Sequence, residues 1–247
     1  MTADNERDIA GLKAAGKVCA DTLRHMMEHA KPGMTTLELD QIGEEFLNKH
    51  GAKSAPRAMY NFPGGTCISI APVIAHGIPG DHIIQDGELI NIDVSAELDG
   101  YFGDTGASMV VGTSNPEYDK LLEVTKATLM KVLSVVKAGK PLNIIGKTVQ
   151  QEAVKHGYNP IFDLTGHGIG KSLHEKPSAV YNFHKPDDRR ILNEGLVLAI
   201  EPFLTLGRGR VIEKPDRWSL RTVDNTIAAQ FEHTVIITKD EPIILTM

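Results

Sequence analysis

The chain of 247 residues has few of the features that would place it outside the cell, in a membrane or on nucleic acid. Its two cysteines, Cys19 and Cys67, are too few for a disulfide framework, so we expect reduced thiols in a cytoplasmic protein. No apolar run approaches the ~20 residues that cross a bilayer, and the charged first residues are unlike a secretory signal. A net charge of −6 offers no basic surface, so we expect neither nucleic acid nor membrane as a partner.

The composition is that of an ordinary globular protein, with 41% hydrophobic and 23% charged residues. This length fits one large domain or two fused halves. Apolar residues at helical spacing predict helices over four segments: residues 4–30, 35–50, 116–136 and 143–156. Residues 54–67, rich in proline, glycine and asparagine, predict a loop that presents apolar side chains, and residues 67–75 predict a strand broken at Pro72.

Two parts of the sequence resemble each other. Gly33 and Gly51 bracket one predicted helix, and Gly139 and Gly157 bracket another of the same length 106 residues later. In the segments 87–93 and 195–201, an apolar run likewise delivers a carboxylate six residues after a glycine. We therefore expect a single domain over residues 1–247 with two related halves, about 1–112 and 113–247. The alternative is that similar elements resemble one another by chance.

A β-hairpin over residues 89–106 is the most informative stretch. Asp99-Gly100 is a two-residue turn signal between an apolar run and a second run with Tyr and Phe. If these two residues form the turn, Asp93 faces Gly106, and Asp104 becomes its diagonal neighbour on the same face. Two carboxylates held together inside a sheet repel each other and lose hydration unless a cation lies between them. The alternatives are that either acid caps a turn or meets an arginine, and one extra loop residue would break the geometry.

Three further segments contain groups of the same kind. His167 lies among glycines with His174 seven residues later, Glu201 ends an apolar run, and Glu232 interrupts another. Each of them alone also fits an ordinary surface or core position. Together with Asp93 and Asp104 they would balance two divalent cations, for which Mn, Fe(II), Co or Zn are suitable. Such a pair of ions lowers the pKa of a water and polarises a carbonyl, which is the chemistry of amide hydrolysis.

These residues in their surroundings resemble the pita-bread metallopeptidases and, within them, the type I methionine aminopeptidases over nearly the whole chain. Some of the matching motifs contain candidate metal ligands, and others form loops. They are Asp93 and Asp104, Gly-His-Gly-Ile-Gly at 166–170, Glu201-Pro202, Gln-Phe-Glu-His-Thr at 230–234, Phe62–Ser69 and His76–Pro79. The resemblance implies an α+β pita-bread fold with two pseudo-twofold-related halves around a central antiparallel sheet. It is closest to the short bacterial form without an N-terminal extension.

The resemblance also implies how the ligands are shared between two divalent ions. Asp93 would chelate one ion, and Asp104 and Glu232 would bridge both. His167 and Glu201 would hold the other ion. Ala71-Pro72 departs from the family pattern near backbone carbonyls that bind a monovalent cation in some relatives, so such a cation is in doubt here.

The family further implies residues that contact the substrate. His76 and His174 would lie unliganded beside it, one at the scissile amide nitrogen and the other at the carbonyl, and Glu201 would shuttle a proton. The methionine side chain would enter a soft, aromatic pocket. Five residues are expected to line that pocket: Met59, Phe62, Cys67, Leu173 and Trp218.

The implied activity is removal of the initiator methionine from nascent polypeptides whose second residue is small, by a water activated between two metal ions. A monomer that associates transiently with the ribosome is compatible with that role. An X-Pro aminopeptidase or prolidase is the alternative enzyme, although only about 90 residues precede Asp93, whereas those enzymes usually carry a large extra N-terminal domain. A non-catalytic pita-bread binding protein is a further alternative, but such proteins lose ligands.

Overall fold

The computed structural model describes residues 1–247 and contains five helices and fifteen strands. The helices are α1 Glu6–His29, α2 Thr36–Lys49, α3 Ala55–Tyr60, α4 Pro116–Leu133 and α5 Ile144–Lys155. The strands are β1 Lys53–Ser54, β2 Cys67–Ile70, β3 Val73–Ala75, β4 Glu88–Leu98, β5 Tyr101–Val111, β6 Asn159–Pro160, β7 Thr165–Gly168, β8 Glu175–Tyr181, β9 Val197–Ile200, β10 Phe203–Thr205, β11 Val211–Glu213, β12 Leu220–Thr222, β13 Ala228–Gln230, β14 His233–Ile236 and β15 Ile243–Ile244. Every strand pairing is antiparallel. None of the helices is both long and apolar enough to span a bilayer.

The central hairpin of the first half consists of β4 and β5. Asp99 and Gly100 form its turn with φ of 51° and 78°, the left-handed conformation that a two-residue hairpin turn of type I′ requires. The register pairs Asp93 with Gly106 and Ser95 with Asp104, without a bulge. The predicted diagonal relation of Asp93 and Asp104 is therefore confirmed.

The two halves place corresponding strands in the same order. In the first half β4 lies between β5 and β2, and in the second half β9 lies between β14 and β7. The paired glycines also share a backbone conformation: φ is 74° at Gly51 and 80° at Gly157, and 83° at Gly87 and 78° at Gly195. The repeat in the sequence thus corresponds to repeated local structure.

The buried apolar residues form four clusters, and the two largest lie mostly in one half each. One cluster of 16 buried residues lies between α1, α2 and the β4–β5 hairpin, and one of 20 lies between α4, α5 and the strands β9, β10, β13 and β14. Phe231 packs against both clusters. Burial of this apolar surface, at about 25 cal/mol per Å², is the main force that holds the helices on the sheet.

The seam between the halves runs from β5 to the segment that joins β13 and β14. Ala107 and Phe231 form a β-bridge, and the backbone N–H of Glu232 donates to Gly106 O at 2.9 Å. The Thr105 hydroxyl donates to the carbonyl oxygen of Glu232 at 2.8 Å. These bonds bring the acids of the two halves to one place.

The structure corrects the expectation for residues 54–67 in one respect. Ser54 caps a short helix, α3, by accepting a hydrogen bond from Arg57 N at 3.3 Å, and Asn61 in the left-handed conformation (φ 56°) ends it. Only the rest of the segment is a loop. Proline is tolerated in the first turn of a helix, so the serine cap and the early proline start a helix here although the segment is rich in residues that usually break helices.

The other predicted helices are present, with small shifts at their ends. Thr35 caps α2 in a reciprocal capping box with Glu38, as two threonines at that place predict. The last helix begins after Asn143, but the Asn143 side chain does not cap it and accepts instead from Lys185 N at 2.9 Å. α4 ends at Leu133, three residues before the predicted end.

Candidate active site

A cavity of about 370 Å³ opens where the two halves meet, and one of its walls is polar. The polar wall contains all five residues predicted as metal ligands: Asp93, Asp104, His167, Glu201 and Glu232. They come from four separate places in the fold, namely the β4–β5 hairpin, β7, the end of β9 and the loop between β13 and β14. The structure thus brings together residues as far apart as 93 and 232.

Asp93 and Asp104 lie on the same face of the hairpin. Ser95, which is opposite Asp104 in the register, donates its hydroxyl to Asp104 Oδ1 at 2.8 Å. Asp93 Oδ1 is buried and has no hydrogen-bond partner. An unpartnered, buried carboxylate oxygen costs free energy unless a cation or a donor contacts it.

Glu232 provides a second oxygen of the same kind. Its Oε2 accepts a hydrogen bond from Gln230 Nε2 at 3.0 Å, whereas its Oε1 is buried without a partner. The residue is only 2% exposed. The two orphaned oxygens are donors of the type that hard and borderline divalent ions prefer.

His167 lies where the pairing of β7 with β8 shifts register, and such irregularities redirect a side chain. Its Nδ1 contacts Gly168 O at 3.0 Å, which makes Nδ1 the protonated nitrogen and leaves a lone pair on Nε2. Nε2 is 3.5 Å from Asp104 Oδ2 and 3.8 Å from Glu201 Oε1. This tautomer and this orientation are those of a metal-ligating histidine.

The electrostatics of the carboxylates also fit a cation. Burial raises the pKa of Asp93, Glu201 and Glu232 well above the usual range, and the neighbouring Asp104 charge raises all three further. One ligand atom from each of Asp104, His167 and Glu232 lies within 4.8 Å of the others. A divalent cation among them would oppose both causes of the shift, so the residues present fit the metal that the sequence predicts.

Two further histidines line the cavity outside the ligand cluster. His174 contacts His167 with ring centroids 4.0 Å apart and the rings tilted by 38°, and its Nδ1 is 2.7 Å from the hydroxyl of Tyr60. Desolvation, and then the nearby His167, lower the pKa of His174 to about 4, so its ring is neutral at pH 7. His76 follows β3 with a φ of 52°, and desolvation lowers its pKa as well.

The apolar lining residues of the cavity include four of the five residues predicted for a side-chain pocket. Phe62 meets Trp218 edge to face at a centroid distance of 5.1 Å, and Cys67, which pairs with Asp93 in the sheet, and Leu173 also line the cavity. The loop behind Phe62 is held by Asp40, whose carboxylate accepts from the backbone N–H groups of Gly65 and Thr66 at 2.9 and 2.7 Å. Burial, and then the charge of Asp93, raise the pKa of the Cys67 thiol, so it stays protonated.

Met59 does not line this cavity, and its expected place there is wrong. Its side chain is 44% exposed, whereas the adjacent Tyr60 lines the cavity. The reason is the helix α3, which rotates successive side chains by about 100° and so separates the two residues.

Sequence reasoning missed Tyr60 and Phe203 as lining residues. The Ser54-Ala55-Pro56 start signal could have predicted α3, since a serine cap and an early proline are typical of a helix N-terminus. No local signal points to Phe203, which reaches the cavity through the pairing of β10 with β13.

Residues 10–239 match the model of metallopeptidase family M24, and the chain belongs to this family. The expected class, a hydrolase of the metallopeptidase type, is therefore confirmed. Within the family the chain falls among the methionine aminopeptidases. It is 44% identical to the methionine aminopeptidase 2 of Bacillus subtilis over 247 residues, which is 100% of this chain and 99% of that protein.

Solved structures agree with this assignment and confirm the pita-bread fold. The methionine aminopeptidase of Rickettsia prowazekii superposes with a TM-score of 0.95 at 38% identity and full coverage of both chains. The prolidase of Pyrococcus furiosus superposes with a TM-score of 0.80 at 21% identity, and this chain covers 64% of its length. At that identity the prolidase supports the fold alone.

Proposed function

We propose that this chain removes the N-terminal methionine from polypeptides whose second residue is small. The observation that carries the proposal is one cavity lined both by a cluster of buried carboxylates with an imidazole and by soft apolar side chains. The carboxylates and the imidazole suit divalent ions that activate a water for amide hydrolysis, and the apolar lining residues suit a thioether side chain. The family membership supports the same reaction class.

Five side chains would hold two divalent ions. Asp93 would chelate one, Asp104 and Glu232 would bridge both, and His167 and Glu201 would hold the other. Support comes from the unpartnered Asp93 Oδ1 and Glu232 Oε1 and from the free Nε2 of His167. When bound, such ions lower the pKa of a water toward neutrality and polarise a carbonyl. Mn, Fe(II), Co and Zn all suit this donor set.

The remaining polar groups would move and direct protons. Glu201, whose side chain is 14% exposed, would take the proton of the attacking water and deliver it to the leaving amine. If the Tyr60 hydroxyl donates to His174 Nδ1, the Nε2–H of His174 is free to donate to the carbonyl oxygen as negative charge develops there. His76 would then hydrogen-bond the scissile amide nitrogen.

The apolar lining residues would select methionine at the cleaved position. The edge-to-face pair of Phe62 and Trp218 offers a polarisable surface, and sulfur contacts with aromatic rings stabilise by about 0.3–1.5 kcal/mol. Trp218 is presented by the turn between β11 and β12, where Asp216 accepts hydrogen bonds from the backbone N–H groups of Trp218 and Ser219.

The same proposal assigns the partners and the setting. The substrates would be nascent polypeptide N-termini, met by a cytoplasmic monomer in transient association with the ribosome. The chain would act as one domain over residues 1–247 with halves of about 1–112 and 113–247.

Peptide cleavage tests the substrate. Metal-loaded protein is expected to release methionine from Met-Ala-Ser and to leave Ala-Pro-Ala intact, and a chelator should abolish the release. Trp218→Ala should raise KM for Met-Ala-Ser with less effect on kcat, because the side-chain pocket loses its wall. Tyr158→Phe, a change outside the cavity, serves as the control. Cleavage of Ala-Pro-Ala with Met-Ala-Ser untouched would assign the chain to the X-Pro peptidases instead.

A further inference from the structure

A row of buried polar side chains crosses the seam and ends on Glu232. Ser108 and Asn91 belong to the hairpin of the first half, and Gln230 and Glu232 belong to the second half. All four are at most 6% exposed. Asn91 Nδ2 is 3.2 Å from Ser108 Oγ and 2.7 Å from Gln230 Oε1, and Gln230 Nε2 is 3.0 Å from Glu232 Oε2.

The direction of these hydrogen bonds follows from which atoms can donate. Ser108 Oγ accepts from the backbone N–H of Gln230 at 2.9 Å and from Asn91 Nδ2. The amide nitrogen of Asn91 also donates to Gln230 Oε1, so the Gln230 oxygen faces Asn91. Because a primary amide has its oxygen on one side and its nitrogen on the other, the Gln230 nitrogen must face Glu232. Asn91 therefore determines that Glu232 meets a donor.

The hairpin leaves a space for this row. Asn91, Asp93 and Ser95 are every second residue of β4, and their partners in β5 are Ser108, Gly106 and Asp104. A Cβ at Gly106 would lie 2.5 Å from Gln230 Oε1 and 2.8 Å from Nε2. The glycine opposite Asp93 is thus the gap through which the Gln230 amide of the second half reaches Glu232.

We propose that Asn91 and Gln230 are positioning residues that hold Glu232 Oε2 as a hydrogen-bond acceptor, direct the unpartnered Oε1 to the cation site, and thereby set the affinity for divalent ions. The inference rests on the proposed role of Glu232 as a metal ligand. A ligand whose free oxygen is already oriented loses less conformational freedom when it binds, and partners of this kind typically change metal affinity by about 10–100-fold.

Asn91→Asp separates this account from simple electrostatics. Aspartate has the same shape, and in its ionised form it has only acceptor oxygens, so above its pKa the Gln230 amide must turn its nitrogen toward residue 91 and its oxygen toward Glu232. We expect affinity for Mn(II) or Zn(II), measured by calorimetry, to fall by about 10–100-fold. An added negative charge near the site would by itself raise cation affinity. Unchanged or tighter binding would overturn the proposal.

Gln230→Met removes the donor while it keeps an unbranched side chain of similar length. The same loss of affinity is expected, although the charge of the site is unchanged. This variant decides the matter alone if Asn91→Asp does not fold, as judged by circular dichroism. Wild-type affinity in a folded Gln230→Met protein would contradict the proposal.

Asn159→Asp is the matched control, because it makes the same amide-to-acid change on an exposed strand residue that donates to Gly207 O. Its cation affinity should equal that of the wild type. Calorimetry does not depend on which peptide is cleaved, so wild-type protein that binds ions but leaves Met-Ala-Ser intact would refute the substrate assignment and leave this inference standing. Wild-type protein that binds no divalent ion would overturn both.

Discussion

Thr234 in the second half hydrogen-bonds to the backbone of Asp104 in the first half, one of the two residues that would bridge the metals. Thr234→Val tests what these hydrogen bonds contribute to the free energy of unfolding. Its hydroxyl accepts a hydrogen bond from Asp104 N at 3.0 Å and donates one to Asp104 O at 2.7 Å. Thr234 is fully buried and Asp104 is 5% exposed. Valine has the same branched shape, so the change removes these two bonds and little else.

The expected loss of stability follows from the two backbone groups of Asp104 that are left without a hydrogen-bond partner. In the variant, the N–H and C=O of Asp104 that face β14 lose their partner in a site closed to water. An unsatisfied buried group costs about 1–3 kcal/mol, and the extra apolar contact of a valine methyl offsets part of it. We take the net loss as about 3 kcal/mol in the free energy of unfolding. In a chain of this length each kcal/mol lowers Tm by about 2–4 °C, so Tm should fall by about 6–12 °C.

Differential scanning calorimetry of chelator-treated protein measures this change without a contribution from metal binding. Thr128→Val is the matched control, because the buried Thr128 hydroxyl has no hydrogen-bond partner. Its Tm should stay the same or rise slightly. The reasoning is refuted if Thr234→Val lowers Tm no more than Thr128→Val does.

Four further substitutions address the site itself. Asp104→Asn and Glu232→Gln keep the volume but remove a charge from the proposed bridging positions, so metal content and release of methionine should both fall by orders of magnitude; near-normal turnover in either would exclude that role. His174→Ala should lower kcat by about 100-fold, because a donor to the developing oxyanion is lost, while metal content measured by atomic absorption stays intact; a loss of metal would make His174 a ligand instead. Gly106→Ala places a methyl group against the Gln230 amide and should lower the free energy of unfolding, measured in urea, by about 1–3 kcal/mol. An unchanged urea midpoint would show that the Gln230 side chain can move away from the methyl group.

The local parts of the fold could be predicted because their causes lie within a few residues. The Asp99-Gly100 turn sets the register of the hairpin, and with it the diagonal relation of Asp93 and Asp104. The capping box at Thr35 marks the start of α2 in the same way. The short helix α3 was missed because its start signal competes with a composition typical of loops.

The residues of the candidate site likewise divide into those that local sequence patterns predict and those that they do not. The acids and His167 could be singled out because a charge at the end of an apolar run needs a partner, and because the motifs around them match a known family. Met59 was misplaced because neighbouring residues on a helix point in different directions, which only the geometry of α3 decides. The contact of Tyr60 with His174 joins residues 114 positions apart, so no local pattern could predict it.

The sequence by itself determined the chemical inventory, the hairpin that pairs two carboxylates, and the repeat of glycines that marks corresponding elements, because each depends on contacts between near neighbours. Only the tertiary structure decided which groups from the second half meet that hairpin. The Thr234 hydroxyl on the backbone of Asp104 and the Gln230 amide in the gap left by Gly106 join residues more than 100 positions apart. Such contacts form when the two apolar cores pack at one seam, and no local pattern encodes the relative placement of those cores.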